Sequence, residues 1–132
     1  MDETQWQRLA DAARAAAAHA YCPYSRFPVG AAVLTQEGSI AHGCNVENAS
    51  FGLTSCAERN AIFRAVADGA TSIVALALYT PTPEPVTPCG ACRQVIAEFG
   101  PDAQIRCICD GPGSADYVIQ ELLPYAFTLR RP

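Results

Sequence analysis

Ser72-Ile73-Val74-Ala75-Leu76-Ala77-Leu78-Tyr79 is almost entirely apolar, the pattern of a central strand covered on both faces rather than one with a wet side. Such a strand needs partners packed above and below it, so its neighbours in sequence are read for helices. Before it, Cys56 to about Asp68 reads as a helix with Ala57, Ile62, Ala65 and Val66 facing inward and Gly69 as its stop. After it, Thr80 to Pro88 holds four prolines in nine residues, which no regular element tolerates. That segment is a stiff loop delivering Cys89 to a further helix over about Gly90 to Phe99.

Farther out, Thr4-Gln5-Trp6-Gln7 has the form of a capping box and opens a helix to about Ala20, with Trp6, Leu9, Ala13 and Ala17 on one face. This helix ends before Pro23. Phe27 to Thr35 and Ser39 to Cys44 read as two strands joined by the tight turn Gln36-Glu37-Gly38, with Asn45 to Ser55 a polar loop behind them. Ile105 to Cys109 and Tyr117 to Ile119 supply two more strands, and Glu121 to Pro124 a helical turn. With no internal repeat and no linker, residues 1–132 are expected to form one domain. The order of elements describes a five-stranded sheet with helices on its faces, a three-layer α/β/α domain.

Composition excludes several function classes. The chain has 132 residues and a net charge of −4, with no lysine and nine arginines scattered along it, so a basic nucleic-acid-binding face is not expected. No apolar run reaches the ~18 residues of a membrane span. The alanine-rich stretch Ala10 to Ala20 is broken by Asp11, Arg14 and His19 and is not a secretory core, so a cytoplasmic protein is expected. Only 17% of residues are charged, against ~25% in typical soluble domains, which points to surface buried between subunits. Seven cysteines, an odd number with two in a C-x-x-C, suit metal binding better than a disulfide framework.

The chemistry is carried by Cys56-Ala57-Glu58-Arg59 and, starting 32 positions after Cys56, Pro88-Cys89-Gly90-Ala91-Cys92. Cys56, Cys89 and Cys92 make a three-thiolate zinc set. Structural zinc normally takes four protein ligands, whereas catalytic zinc takes three and keeps a position for water or substrate. Both cysteine groups open predicted helices, whose N–H groups and dipole stabilise thiolates. Arg59 offers a further means of drawing charge off the sulfurs. Glu58 lies in the first turn of the same helix as Cys56, placed to act as general base and then general acid. A lone C-x-x-C is weak evidence of metal; the combination is not.

These motifs, with Tyr21-Cys22-Pro23-Tyr24-Ser25-Arg26-Phe27-Pro28-Val29-Gly30-Ala31-Ala32 and Glu121-Leu122-Leu123-Pro124, resemble the small zinc-dependent cytidine deaminases of pyrimidine salvage over almost the whole chain. The resemblance implies a cytidine deaminase-like fold with a mixed sheet and one Zn²⁺ per subunit. It implies hydrolysis at a cyclic amidine C–N bond. Zinc-activated water attacks C4 of cytidine or 2′-deoxycytidine, Glu58 moves its proton to N3 and assists loss of ammonia, and uridine or 2′-deoxyuridine leaves. By the same resemblance Asn45 and Glu47 hold the ribose hydroxyls, Phe27 packs on the pyrimidine ring, and the backbone at Ala57 contacts the base. Phe127 reaches the site of a neighbouring subunit in a homotetramer. A carboxylate at Glu47 also favours a free nucleoside over a phosphorylated one.

Two departures stand out. Phe51 occupies a position where tyrosine is frequent, and the tail Thr128-Leu129-Arg130-Arg131-Pro132 is short and basic. His19 and His42 read as ordinary residues, and Cys22 and Cys44 as core. Two other readings are an aminoglycosyl nucleoside antibiotic deaminase and a structural Cys₄ zinc module closed by Cys107 or Cys109.

Overall fold

In the computed structural model, which describes residues 1–129, the first helix begins one residue before the expected cap. The Asp2 carboxylate accepts from the Gln5 N–H at 2.7 Å while the Gln5 side chain accepts from the Asp2 N–H at 2.9 Å, so α1 runs Glu3–Ala17. Asp2 therefore displaces Thr4 as the cap. An ionised carboxylate serves the positive end of the helix better than a threonine hydroxyl. The helix also stops short of Ala20, because Ala18, His19 and Ala20 donate to carbonyls only three residues back.

The described residues form strands β1 (Gly30–Thr35), β2 (Ile40–Cys44), β3 (Ile73–Tyr79), β4 (Gln104–Ile108) and β5 (Ser114–Val118). Helices α2 (Ala57–Ala67), α3 (Gly90–Phe99) and α4 (Ile119–Leu122) complete the chain with a 3₁₀ turn at Phe51–Leu53. The sheet is mixed and five-stranded, in the order β2-β1-β3-β4-β5. β1 is antiparallel to β2 and β3, β3 is parallel to β4, and β4 is antiparallel to β5. The apolar run is indeed the central strand, buried along most of its length, with Val74 the partly exposed exception near its start.

Alternation along the strands divides the core into two layers. Ala32, Leu34, Ala75 and Ala77 pack against Trp6, Leu9 and Ala13 of α1. Ala31, Val33, Leu76 and Leu78 point the other way, onto Ala61, Ile62 and Ala65 of α2 and Ile96 of α3. This is the expected three-layer α/β/α arrangement. Val66 does not face inward: the buried positions of α2 are Ala57, Glu58, Ala61, Ile62 and Ala65, and Val66 lies beside that stripe, partly exposed.

Close backbone approach fixes how the helices sit. A Cβ on Gly30 would lie 1.9 Å from the Ala13 carbonyl oxygen, and one on Gly43 would lie 2.5 Å from the Ala61 nitrogen and 2.9 Å from the Ala57 carbonyl oxygen. Glycine at these positions lets α1 rest on β1 and the first turns of α2 rest on β2.

Strand boundaries moved where side chains compete for backbone groups. Phe27, Pro28 and Val29 lie outside β1, since the Asn45 side chain takes the Phe27 carbonyl and the Val29 N–H. β5 begins and ends earlier than the apolar pattern predicts, and Ile119 opens α4 instead. Within the polar loop, Val46 bridges to both Tyr21 and Ser55. No helix among the described residues is long and apolar enough to cross a membrane. Of the basic tail, Arg130, Arg131 and Pro132 lie outside the described residues.

Candidate active site

Cys56 and Cys89 occupy equivalent places in the fold, each the N-cap of its helix with extended backbone. The cap carbonyls accept the first helical bonds, from Asn60 N–H at 3.1 Å and Arg93 N–H at 3.0 Å, which leaves the sulfurs free to project past the helix ends. Cys92 follows in the first turn of α3. The three sulfurs lie within 4.8 Å of one another. Tetrahedral Zn–S bonds of about 2.3 Å set sulfurs about 3.8 Å apart, so this cluster of soft donors fits Zn²⁺ with little adjustment.

Electrostatics at the cluster favour the thiolate of Cys56. The thiol of Cys92 and the guanidinium of Arg59 together hold Cys56 down to about 5, and Cys92 is raised in return because it keeps the shared proton. Arg59 Nη2 donates to Cys56 Sγ at 3.2 Å. Its Nε is buried with no hydrogen-bond partner among the described residues.

Glu58, next after Ala57 in α2, is only 5% exposed. Burial pushes its carboxyl up to about 7, with the neighbouring Cys56 charge acting in the same direction. A carboxyl at that value exists in both protonation states at neutral pH, which is what a proton carrier needs. Ala57 itself is fully buried at the start of the helix.

Of the expected nucleoside contacts, Glu47 lines a surface cleft. Tyr24, Ser25, Glu47, Phe51 and Thr54 line a cavity of about 380 Å³. Glu47 Oε1 accepts from the N–H groups of Tyr24 at 3.0 Å and Ser25 at 3.1 Å, and Oε2 accepts from the Ser25 hydroxyl. These bonds, the hydroxyl foremost, hold its carboxyl below the usual range and so ionised. Asn45 is buried, with Oδ1 accepting from Val29 N–H at 2.9 Å and Nδ2 donating to the Phe27 carbonyl at 2.8 Å. Both polar residues therefore hold the chain on either side of Phe27 in place.

Phe27 is 38% exposed, and Phe127 is 70% exposed with its carbonyl bound by Gln94 Nε2 at 3.1 Å. Among the described residues, the non-glycine positions with left-handed backbone are Arg26 at φ 55° and Tyr125 at φ 56°. One precedes Phe27 directly and the other lies two residues before Phe127. Phe51 stands out from the loop and meets Tyr24 edge to face, with centroids 6.1 Å apart. It supplies an aromatic edge where a tyrosine would add a hydroxyl.

The remaining cysteines lie elsewhere. Cys107 is buried in the sheet core, and burial pushes its thiol up to about 12, so it stays neutral. Cys109 faces the carbonyls of Pro83, Gly111 and Gly113. Neither belongs to the metal cluster, and the Cys₄ reading is set aside for the described residues. Cys22 and Cys44 are half-buried rather than core, because they flank the open loop before β1 and the end of β2. His19 and His42 are exposed and apart from the cluster.

Sequence reading missed three supporting residues. Ser25 braces Glu47; Asn60 donates to the Cys44 carbonyl and accepts from the Ser55 hydroxyl, both at 2.8 Å; and Arg93 holds the loop before Cys89. Each adjoins a motif residue in sequence or in space, but its partners, a mixture of side chains and backbone carbonyls, are brought to it by the fold.

Residues 3–108 match the protein family described as cytidine and deoxycytidylate deaminase zinc-binding region. The chain is 47% identical over 123 residues to a cytidine deaminase of Sporosarcina psychrophila, covering 92% of this chain and 90% of the relative. It is 51% identical over 110 residues to a cytidine deaminase of Halalkalibacterium halodurans, 83% of each chain. The crystal structure of a cytidine deaminase from Burkholderia pseudomallei superposes with a TM-score of 0.90 at 45% identity, covering 96% of this chain and all of the other.

Proposed function

As the chain belongs to the cytidine and deoxycytidylate deaminase family, we propose that it hydrolyses cytidine and 2′-deoxycytidine to uridine and 2′-deoxyuridine with release of ammonia. The observation that carries this reading is a buried carboxyl, raised to about 7, in the same first helical turn that follows a ligand of a three-sulfur zinc site.

Cys56, Cys89 and Cys92 would hold the zinc, one per subunit, which when bound serves as a Lewis acid that activates water near neutral pH. Glu58 takes a proton from the attacking water and gives it to N3 of the cytosine ring as the new C4–O bond forms. The same carboxyl then takes the proton of the new C4 hydroxyl and carries it to the exocyclic amino group, so that C4–N cleavage releases ammonia and leaves the C4 carbonyl of uridine. Arg59 draws negative charge off Cys56, which would leave a zinc held by three thiolates better able to activate water. Ala57 offers main-chain groups to the base and no bulk.

Phe27 stacks on the pyrimidine, and Asn45 and Glu47 meet the ribose hydroxyls with the capacity their backbone bonds leave free. Glu47, ionised, disfavours a phosphate in place of those hydroxyls. Support for subunit assembly comes from the exposure of Phe51, Leu53, Tyr125, Phe127 and Leu129, and from the low charged fraction. We read the assembly as a cytoplasmic homotetramer of single domains in which Phe127 completes a neighbour's site.

The test is a comparison of cytidine, deoxycytidine, cytidine 5′-monophosphate and an aminoglycosyl cytosine nucleoside as substrates of zinc-loaded protein. Rapid turnover of the two nucleosides and little of the nucleotide supports the reading. Preference for the nucleotide, or for an aminoglycosyl cytosine nucleoside, contradicts it.

A further inference from the structure

Cys92, Arg93 and Gln94 are consecutive on α3, and each binds something different. Cys92 joins the metal cluster. Arg93 spreads its guanidinium over three acceptors: Nε donates to the Pro88 carbonyl at 2.8 Å, Nη2 to the Thr87 hydroxyl at 2.9 Å, and Nη1 to the Leu122 carbonyl at 2.8 Å. Gln94 donates to the Phe127 carbonyl at 3.1 Å. The helix that carries two of the metal ligands thus grips the proline loop just before Cys89 and both ends of the 122–127 segment.

We propose that Arg93 is a positioning residue that locks the Cys89 ligand and the C-terminal aromatic segment to one another, with Gln94 fixing only the segment's far end. The metal half rests on the zinc site itself, and the aromatic half rests on the proposed role of Phe127. The Pro88 carbonyl belongs to the peptide bond that leads into Cys89, so its orientation sets where the cap sulfur can lie. The loop's prolines stiffen it but leave its last peptide dependent on an outside donor. A planar fork with donors on three nitrogens satisfies acceptors from two separate segments at once, which a lysine ammonium on a flexible stem does not reproduce. Leu122 ends α4, where helix carbonyls lack internal partners, so the Arg93 bond also fixes the direction in which the chain leaves toward Phe127.

The experiment pairs two readouts on purified holoenzyme variants: zinc affinity by chelator competition, and KM and kcat for cytidine. Arg93→Ala is expected to weaken zinc binding roughly 10- to 100-fold, the range for supports behind a metal ligand, and to raise KM. Arg93→Lys is expected to recover only part of both losses. Thr87→Val, which removes one loop acceptor, should weaken zinc binding less and leave KM unchanged. Gln94→Ala should raise KM with zinc affinity unchanged. Wild-type zinc affinity in folded Arg93→Lys and Thr87→Val overturns the proposal, as does a KM change in Thr87→Val equal to that in Gln94→Ala. If the wild type fails to turn over cytidine, the functional reading fails, while the zinc readout still decides the metal half of the proposal.

Discussion

Arg59 Nη2 reaches Cys56 Sγ at 3.2 Å from one turn along the same helix. The guanidinium is therefore built into the ligand's own element, and its charge acts on the sulfur whatever the neighbouring segments do. Arg59→Ala is expected to retain zinc but lose activity roughly 10- to 100-fold, because three thiolates would then face the metal with less charge withdrawn. Metal analysis beside kcat checks it. Unchanged kcat with full zinc removes Arg59 from the site.

Gly43 governs the seat of α2. Its missing side chain leaves room for the Ala61 nitrogen and Ala57 carbonyl oxygen, both backbone atoms that cannot rotate away. Gly43→Ala should destabilise the fold by about 1–3 kcal/mol, as overpacked cores do, and displace the helix that carries Glu58. Denaturant titration with activity at a permissive temperature measures both. Wild-type stability in that variant would show that α2 has slack against β2.

Asn45 has both ends of its amide engaged by the chain around Phe27. Asn45→Ala leaves a carbonyl and an N–H without partners, each worth about 1–3 kcal/mol if buried. Stability is expected to fall while KM rises. A KM increase at unchanged stability would mean that Asn45 acts on the ligand without organising the Phe27 segment.

Glu58 carries a pH signature in the metal-free chain. Its folded value of about 7 exceeds the ordinary 4.5, so between these values the folded state holds more protons than the unfolded state. Stability from this group therefore falls as pH rises through that window, by about 3 kcal/mol in all. Cys56, held down to about 5, works in the opposite direction above that value, so wild type alone gives a mixed slope. The difference from Glu58→Gln isolates the carboxyl. In chelator and reductant, the variant should gain on the wild type from pH 4.5 to 7, and a flat difference would contradict a carboxyl held neutral by burial.

Legibility in the sequence followed periodicity and motif chemistry. The central strand, α3 and the order of elements are readable because apolar runs and prolines act locally, and Cys56, Glu58, Cys89 and Cys92 are readable because their spacing is that of a helix start. The cap of α1, the late start of β1 and the exposure of Val66 are not. Those depend on which side chain wins a given backbone group, or on where a helix stripe comes to rest. Ser25, Asn60 and Arg93 escaped for the same reason.

The most direct test is the ultraviolet loss of cytidine by zinc-loaded wild type beside Glu58→Gln of equal zinc content and fold. Wild type should convert cytidine to uridine, with turnover in the variant lower by roughly 10²- to 10⁴-fold, the contribution of a positioned general acid and base. Near-wild-type turnover in Glu58→Gln would contradict the mechanism at its centre.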